Sequence, residues 1–108
     1  MHNQREGQKM RVEREKSTVT VFLEGELDHC NAQQIRRIMD QAIMDKGIKC
    51  LIVDMEQMAF MDSSGIGVIL GRYRQLHQRG GKMMVRHMNR QVEKVFRLSG
   101  MEQLIEVV

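Results

Sequence analysis

Residues 60–71 read FMDSSGIGVILG, and this stretch decides the fold prediction. It follows an apolar run that is predicted to be a buried strand, and after a short loop it begins a predicted helix. A loop between a strand and a helix lies at the carboxyl edge of a sheet, where α/β folds place ligands and chemistry. The polar cluster Asp62, Ser63 and Ser64 is therefore the first candidate for a functional site.

The glycines of this stretch do not form a nucleotide-binding motif. A dinucleotide fingerprint needs a glycine three residues after Gly67, where Leu70 stands, and a P-loop later in the chain fails at Leu76 and Met83. A membrane helix-packing motif is excluded because Arg72 follows at once and the apolar run is too short. The glycines instead let the helix lie close to its sheet, or keep its first turn bare so that a partner's backbone can approach.

The polar cluster at residues 62–64 has two interpretations. In the first, one of its side chains caps the helix by accepting a backbone N–H, which contributes about 1 kcal/mol. In the second, one serine accepts a phosphate, because free N–H groups and the positive end of the helix dipole favour an anion there. A phosphoserine adds a charge of about −1.5 to −2, which would switch off a contact at a binding surface by repulsion.

Strands and helices alternate along the rest of the chain. The predicted strands cover residues 10–14, 18–24, 48–55, 82–88 and 103–108. The predicted helices run from a cap at Asn31 to a stop at Gly47, over residues 62–78 and over residues 89–99. Such alternation implies right-handed crossovers and a mainly parallel sheet, with the first strand antiparallel to the second. Residues 50–53 are all apolar, although successive residues of a strand point to opposite faces of the sheet. This predicts a central strand that is covered on both faces.

Length and composition indicate one domain. The chain has 108 residues, of which 42% are apolar, so we expect a folded domain over residues 10–108 and a disordered tail over residues 1–9. The first residues lack the apolar centre of a signal peptide, and no run approaches the roughly 20 residues of a membrane helix. We therefore expect a cytoplasmic protein without membrane contact. Cys30 and Cys50 fit free thiols in a reducing compartment.

The sequence contains no pattern typical of a catalytic or metal site. His29, His77 and His87 have no spacing relation to Ser63 or Ser64 of the kind that a serine hydrolase needs. His29 and Cys30 are adjacent, but no second pair of such residues stands at ligand spacing. We therefore expect neither a metal nor another cofactor.

Charge is unevenly distributed. Residues 24–62 hold eight acids against four bases, whereas residues 72–97 hold eight bases against Glu93 alone. This basic segment (residues 72–97) either attracts an acidic partner or forms solvated outer faces of helices and strands. Four aromatic residues and no Trp leave little for stacking bases, so direct nucleic-acid binding is not expected.

Three stretches together resemble a known family: GELDH at residues 25–29, FMDSSGIGVILGRY at residues 60–73 and VFRLSG at residues 95–100. In this order they are similar to the anti-sigma factor antagonists of the STAS domain family, most of all to the sporulation antagonists of endospore-forming bacteria. The resemblance covers residues 10–108. It implies the STAS fold, a mixed, mainly parallel sheet of four to five strands with three to four helices.

The resemblance also implies a regulatory role and no enzymatic activity. In this family the unphosphorylated protein binds an anti-sigma factor that is also a serine kinase, and a sigma factor is thereby released for transcription. The kinase phosphorylates the serine directly after the motif aspartate, which corresponds to Ser63, and the product dissociates. A serine phosphatase then restores the antagonist.

Five further positions follow from the resemblance. Asp62 corresponds to the acid beside the acceptor, and Asp28 to a loop acid near the same partner surface. Ser64, Gly65 and Gly67 correspond to the first turn of the helix that meets the partner. The chain departs from the family in its strongly basic segment and follows His29 with a cysteine at a variable position.

Other functions remain open. A STAS subunit of another assembly, such as a stress-signalling complex or a lipid transporter, would share the same fold. Nucleic-acid binding by the basic segment would weaken steeply with salt. A nucleotide-hydrolysing enzyme is disfavoured because the sequence offers neither a phosphate loop nor a metal cluster.

Overall fold

Five strands lie side by side in one sheet, in the order of the sequence. The structure is a computed structural model that describes residues 10–108, and the predicted disordered tail, residues 1–9, lies outside the described residues. The strands are β1 (Arg11–Glu15), β2 (Thr18–Leu27), β3 (Cys50–Met61), β4 (Lys82–Arg86) and β5 (Glu106–Val107). The helices are α1 (Ala32–Ala42), α2 (Ser63–Gln78) and α3 (Arg90–Leu98), and a short 3-10 helix spans Met101–Gln103.

The sheet is mixed and mainly parallel. β1 and β2 form an antiparallel hairpin, whereas β2, β3, β4 and β5 pair in parallel. The three helices fill the crossovers, because parallel neighbours need a long connection. The predicted α/β fold, with its antiparallel first strand, is confirmed. Within residues 10–108, none of the helices is both long and apolar enough to cross a lipid bilayer.

The core lies on one face of the sheet, beneath the helices. Alternate residues of the three central strands are buried there, and they are Val19, Val21, Leu23, Leu51, Val53, Met83 and Val85. The helices cover them with Ile35, Met39, Ile69, Leu76 and Phe96. Fully burying one side chain of this size contributes about 1.5–3 kcal/mol, so this single layer holds the helices on the sheet.

The opposite face of the sheet is open. Thr20, Ile52 and Met84 stand next to one another across β2, β3 and β4, and each is only partly buried. A groove of about 570 Å³ on this face is lined by strand residues. The prediction that the central strand is covered on both faces is therefore wrong, because the helices pack on the other face and leave Cys50 and Ile52 half-buried.

Several boundaries differ from the predicted ones. α1 ends at Ala42 and not at Gly47, because the chain turns at Asp45, whose carboxylate accepts the N–H of Gly47 at 2.7 Å. β3 continues beyond its predicted end at residue 55 as far as Met61, paired with β2. The last predicted strand shortens to Glu106–Val107, because the chain before it forms the 3-10 helix.

Candidate functional site

Two neighbouring strands bring the aspartates of the predicted site to one place. β2 and β3 run in parallel and end together, since Leu27 pairs with Met61. The N–H of Asp62 then donates to the carbonyl of Leu27 at 3.2 Å. Asp28 and Asp62 therefore follow adjacent strand ends at the carboxyl edge of the sheet, where the sequence placed the site.

Asp62 is the N-cap of α2. Its backbone is extended, with φ −112° and ψ −170°, and its Oδ1 accepts the N–H of Ser64 at 2.8 Å. Of the two roles left open for residues 62–64, capping thus belongs to the aspartate. Ser63 is the first residue of α2 and is exposed, so its hydroxyl faces solvent near the positive end of the helix dipole.

Asp28 closes the loop between β2 and α1. Its Oδ1 accepts the N–H groups of Cys30 at 3.0 Å and Asn31 at 3.2 Å. The Asn31 side chain points back into the same loop, where it accepts the N–H of Asp28 at 2.9 Å and donates to the carbonyl of Glu26. Asn31 is the N-cap residue of α1, as predicted, but its side chain accepts no N–H of the helix because that amide contacts the loop instead.

The two glycines assigned to the partner surface differ in their surroundings. Gly65 is buried, and a Cβ at this position would lie 2.5 Å from Met61 Cγ and 2.8 Å from Leu27 Cγ. Gly67 is exposed, and a Cβ there would meet nothing within 4 Å among the described residues. Gly65 therefore lets α2 begin close against the ends of β2 and β3, which is one of the two roles that the sequence leaves open for these glycines. Gly67 leaves the helix surface bare.

An apolar groove lies beside Ser63, between the start of α2 and the end of α3. It has a volume of about 350 Å³ and is lined by Ser63, Ile66, Val95, Leu98 and Ser99. Leu98 has an exposed fraction of 78%, a large value for an apolar side chain. Apolar surface of this kind beside a polar rim is typical of protein contact sites.

Comparison with known proteins identifies the family, because the STAS domain profile matches residues 9–108. The chain belongs to the STAS domain family. It is 36% identical over 96 residues to the anti-sigma F factor antagonist of Paenibacillus polymyxa, a match that spans 89% of this chain and 82% of the relative.

Solved structures of relatives show the same STAS fold. The anti-sigma factor antagonist SpoIIAA in its unphosphorylated form matches with a TM-score of 0.79 and 35% identity, over 93% of this chain and 88% of that chain. The phosphorylated form of SpoIIAA, a Bacillus cell fate determinant, matches with a TM-score of 0.72 and 34% identity, over 93% and 91%. The family and fold implied by the resemblance are confirmed.

Two amide side chains hold the end of β3, just before Asp62, in this STAS domain, and sequence reasoning missed their role. β4 pairs with β3 only as far as Asp54, which lies opposite Arg86. Beyond Asp54, the edge of β3 that faces away from β2 contacts side chains at the start of α3. Gln91 both donates to the carbonyl and accepts the N–H of Met61, each at 3.0 Å. Asn89 donates to the carbonyl of Met58 at 3.0 Å while it caps α3 at Val92. These contacts fix the backbone one residue before Asp62.

The basic segment of the domain does not form one free surface. Three of its eight basic side chains make contacts of 3.0 Å or less with described residues outside the segment, and these contacts join Arg72 to Asp40 at 3.0 Å, Arg79 to the carbonyl of Ile43 at 2.6 Å and Arg86 to Asp54 at 2.8 Å. Arg97 pairs within the segment with Glu93 at 2.6 Å. Arg72 is itself buried between α1 and α2. Much of the charge asymmetry in the sequence therefore belongs to packing.

Proposed function

We propose that this STAS domain is an anti-sigma factor antagonist controlled by phosphorylation of Ser63. Its unphosphorylated form binds an anti-sigma factor that is also a serine kinase, and a sigma factor is thereby released. The kinase uses ATP to modify Ser63, the phosphorylated form dissociates, and a serine phosphatase removes the phosphate.

The exposed hydroxyl of Ser63 carries this proposal. Asp62 caps α2, so the hydroxyl of Ser63 is not needed as the cap and its oxygen can enter the active site of a kinase. The relative from Paenibacillus polymyxa is an anti-sigma F factor antagonist, and SpoIIAA has been solved in both an unphosphorylated and a phosphorylated form. These names support the same switch for this chain.

The partner surface that we propose surrounds Ser63. It includes Asp28 and Asp62 at the strand ends, Ser64 and the bare Gly67 in α2, and the apolar groove that ends at Leu98. Exposed apolar side chains in the groove supply contact area, while the aspartates at its edge favour a basic partner surface. A phosphate on Ser63 would add negative charge at the centre of this surface.

The proposal is tested by incubating the purified chain with its anti-sigma factor and ATP and locating the added phosphate by mass spectrometry. We expect one phosphate, on Ser63, and no modification of the Ser63→Ala variant. Ser64→Ala is the matched control, because it removes the neighbouring hydroxyl while the N–H of residue 64 still donates to Asp62. Phosphorylation of Ser63→Ala with loss in Ser64→Ala would move the acceptor to Ser64.

Binding is measured by calorimetry with the same anti-sigma factor. We expect Ser63→Ala to bind as the unmodified chain does and Ser63→Asp to bind at least about tenfold more weakly, which corresponds to about 1.4 kcal/mol. If no phosphate is incorporated while the kinase modifies a control antagonist, the switch is excluded and a STAS subunit of another assembly becomes the better interpretation.

A further inference from the structure

Three potential metal ligands meet on the open face of the sheet, away from Ser63. Asp54 and Glu56 lie on β3, and His87 directly follows β4. The Nδ1 atom of His87 is 3.1 Å from Asp54 Oδ2 and 3.7 Å from Glu56 Oε1. All three ligand atoms lie within 4.8 Å of one another.

The Asp54 carboxylate is held in a fixed orientation. Its exposed fraction is 4%, its Oδ1 accepts the N–H of Glu56 at 3.0 Å, and its Oδ2 accepts Nε–H of Arg86 at 2.8 Å. Arg86 therefore uses one side of Oδ2, and the other side faces Nδ1 of His87, where an ion can be held between the two atoms.

The other two side chains are open to solvent. The exposed fractions are 52% for the side chain of His87 and 68% for that of Glu56, so an ion can reach both. His87 has a φ of 65°, a left-handed conformation that is uncommon outside glycine. This backbone turn directs the imidazole back over β3, towards the two carboxylates.

The geometry fits a small divalent ion. A tetrahedral ion with bonds of about 2.1 Å places its ligand atoms roughly 3.4 Å apart, and the distances from Nδ1 lie on either side of that value. An imidazole with two carboxylates suits zinc and similar first-row ions, whereas magnesium and calcium prefer oxygen ligands alone. Two carboxylates against one guanidinium leave a net negative charge for the cation.

We propose that Asp54, Glu56 and His87 form a binding site for a divalent first-row transition-metal ion, with zinc as its representative. The ion binds the lone pair of His87 Nδ1 in the neutral imidazole tautomer that carries its proton on Nε2, and the ion then lies between Nδ1 and Asp54 Oδ2. Water completes the coordination, and Arg86 positions the Asp54 carboxylate. Spacing along the sequence could not reveal this site, because its ligands come from two neighbouring strands.

The test is calorimetric titration of the full chain with zinc chloride. The variant His87→Asn removes one ligand while keeping a residue that tolerates a positive φ. His77→Asn is the matched control, because His77 is an exposed histidine stacked on Tyr73 in α2. We expect His87→Asn to lose one equivalent of zinc or at least about tenfold in affinity, and His77→Asn to bind as the unmodified chain does.

Glu56→Gln gives an independent readout, because this exposed side chain can change with little effect on folding. We expect it to weaken zinc binding as well, with an unchanged circular dichroism spectrum. Replacing zinc by cobalt should give the visible absorption of a tetrahedral ion in the unmodified chain and not in His87→Asn. Unchanged zinc titrations for both His87→Asn and Glu56→Gln would overturn the proposal.

Discussion

The substitution Gly65→Ala tests how closely α2 is packed against the sheet. The added Cβ would lie 2.5 Å from Met61 Cγ, 2.8 Å from Leu27 Cγ and 2.9 Å from Met61 Sδ. Real Cβ atoms do not approach other atoms this closely, so at least one of these side chains must shift. Both side chains are fully buried, with exposed fractions of 0%, and have little free space to move into.

Two effects of opposite sign determine how much Gly65→Ala changes the free energy of unfolding. Replacing glycine by alanine in a helix contributes up to about 1 kcal/mol of stability. Forcing a methyl group into a packed core costs about 1–3 kcal/mol. Gly65 lies in the first turn of α2, where the helix gain is small, so we expect Gly65→Ala to lower the free energy of unfolding by about 1–2 kcal/mol. For a domain of this size, that change corresponds to a melting temperature lower by roughly 5–15 °C.

Gly67→Ala is the matched control, because its Cβ would enter open space in the same helix. It retains the helix gain without the steric cost, so its free energy of unfolding should stay constant or rise by up to about 1 kcal/mol. Urea denaturation followed by circular dichroism measures both variants. A Gly65→Ala variant as stable as Gly67→Ala would refute the assignment of Gly65 to internal packing.

Two further substitutions test the contact of Gln91 with the end of β3 and the proposed partner surface. Gln91→Ala removes both hydrogen bonds to the Met61 backbone and should lower the free energy of unfolding by about 1–3 kcal/mol, whereas Gln75→Ala, which loses one exposed contact of 3.3 Å, should change it by less than about 0.5 kcal/mol. Equal urea midpoints for the two variants would contradict this role of Gln91. Leu98→Ser should leave stability nearly constant but weaken calorimetric binding of the anti-sigma factor at least about tenfold, since burying a leucine contributes about 1.5–3 kcal/mol. Unchanged binding would exclude the groove at Leu98 from the interface.

Patterns that depend on local chemistry were predictable from the sequence. Ile35 and Met39 are four residues apart, as on one face of a helix, which predicts α1, and both are buried in the structure. The polar cluster before Gly65 and the position of Asn89 marked the starts of α2 and α3, where Asp62 and Asn89 are the caps. Each of these signals lies within a few consecutive residues. The fold class then followed from the alternation of predicted strands and helices.

Features that depend on distant contacts were not predictable. β3 runs past Glu56 and Gln57, which break its apolar pattern, because β2 and the amide of Gln91 pair with its outer part. Gly65 and Gly67 look alike in the sequence, and the positions of Met61 and Leu27 in the fold separate their surroundings. The open face of the sheet was missed for the same reason, since apolar residues at both parities do not reveal which face the helices cover.

A phosphate on Ser63 acts, in the proposed switch, on the contact with the partner and not on the fold. At the first residue of α2 the helix dipole favours the added charge by about 0.3–1 kcal/mol, while Asp28 and Asp62 at the same edge oppose it in high-dielectric surroundings by a similar amount. The stability of the free domain therefore changes little. A partner that covers Ser63 removes water from a charge of about −1.5 to −2, and leaving a charge buried without a partner costs several kcal/mol. In the proposed switch, this difference between an open and a covered site lets one modification end binding while the domain stays folded.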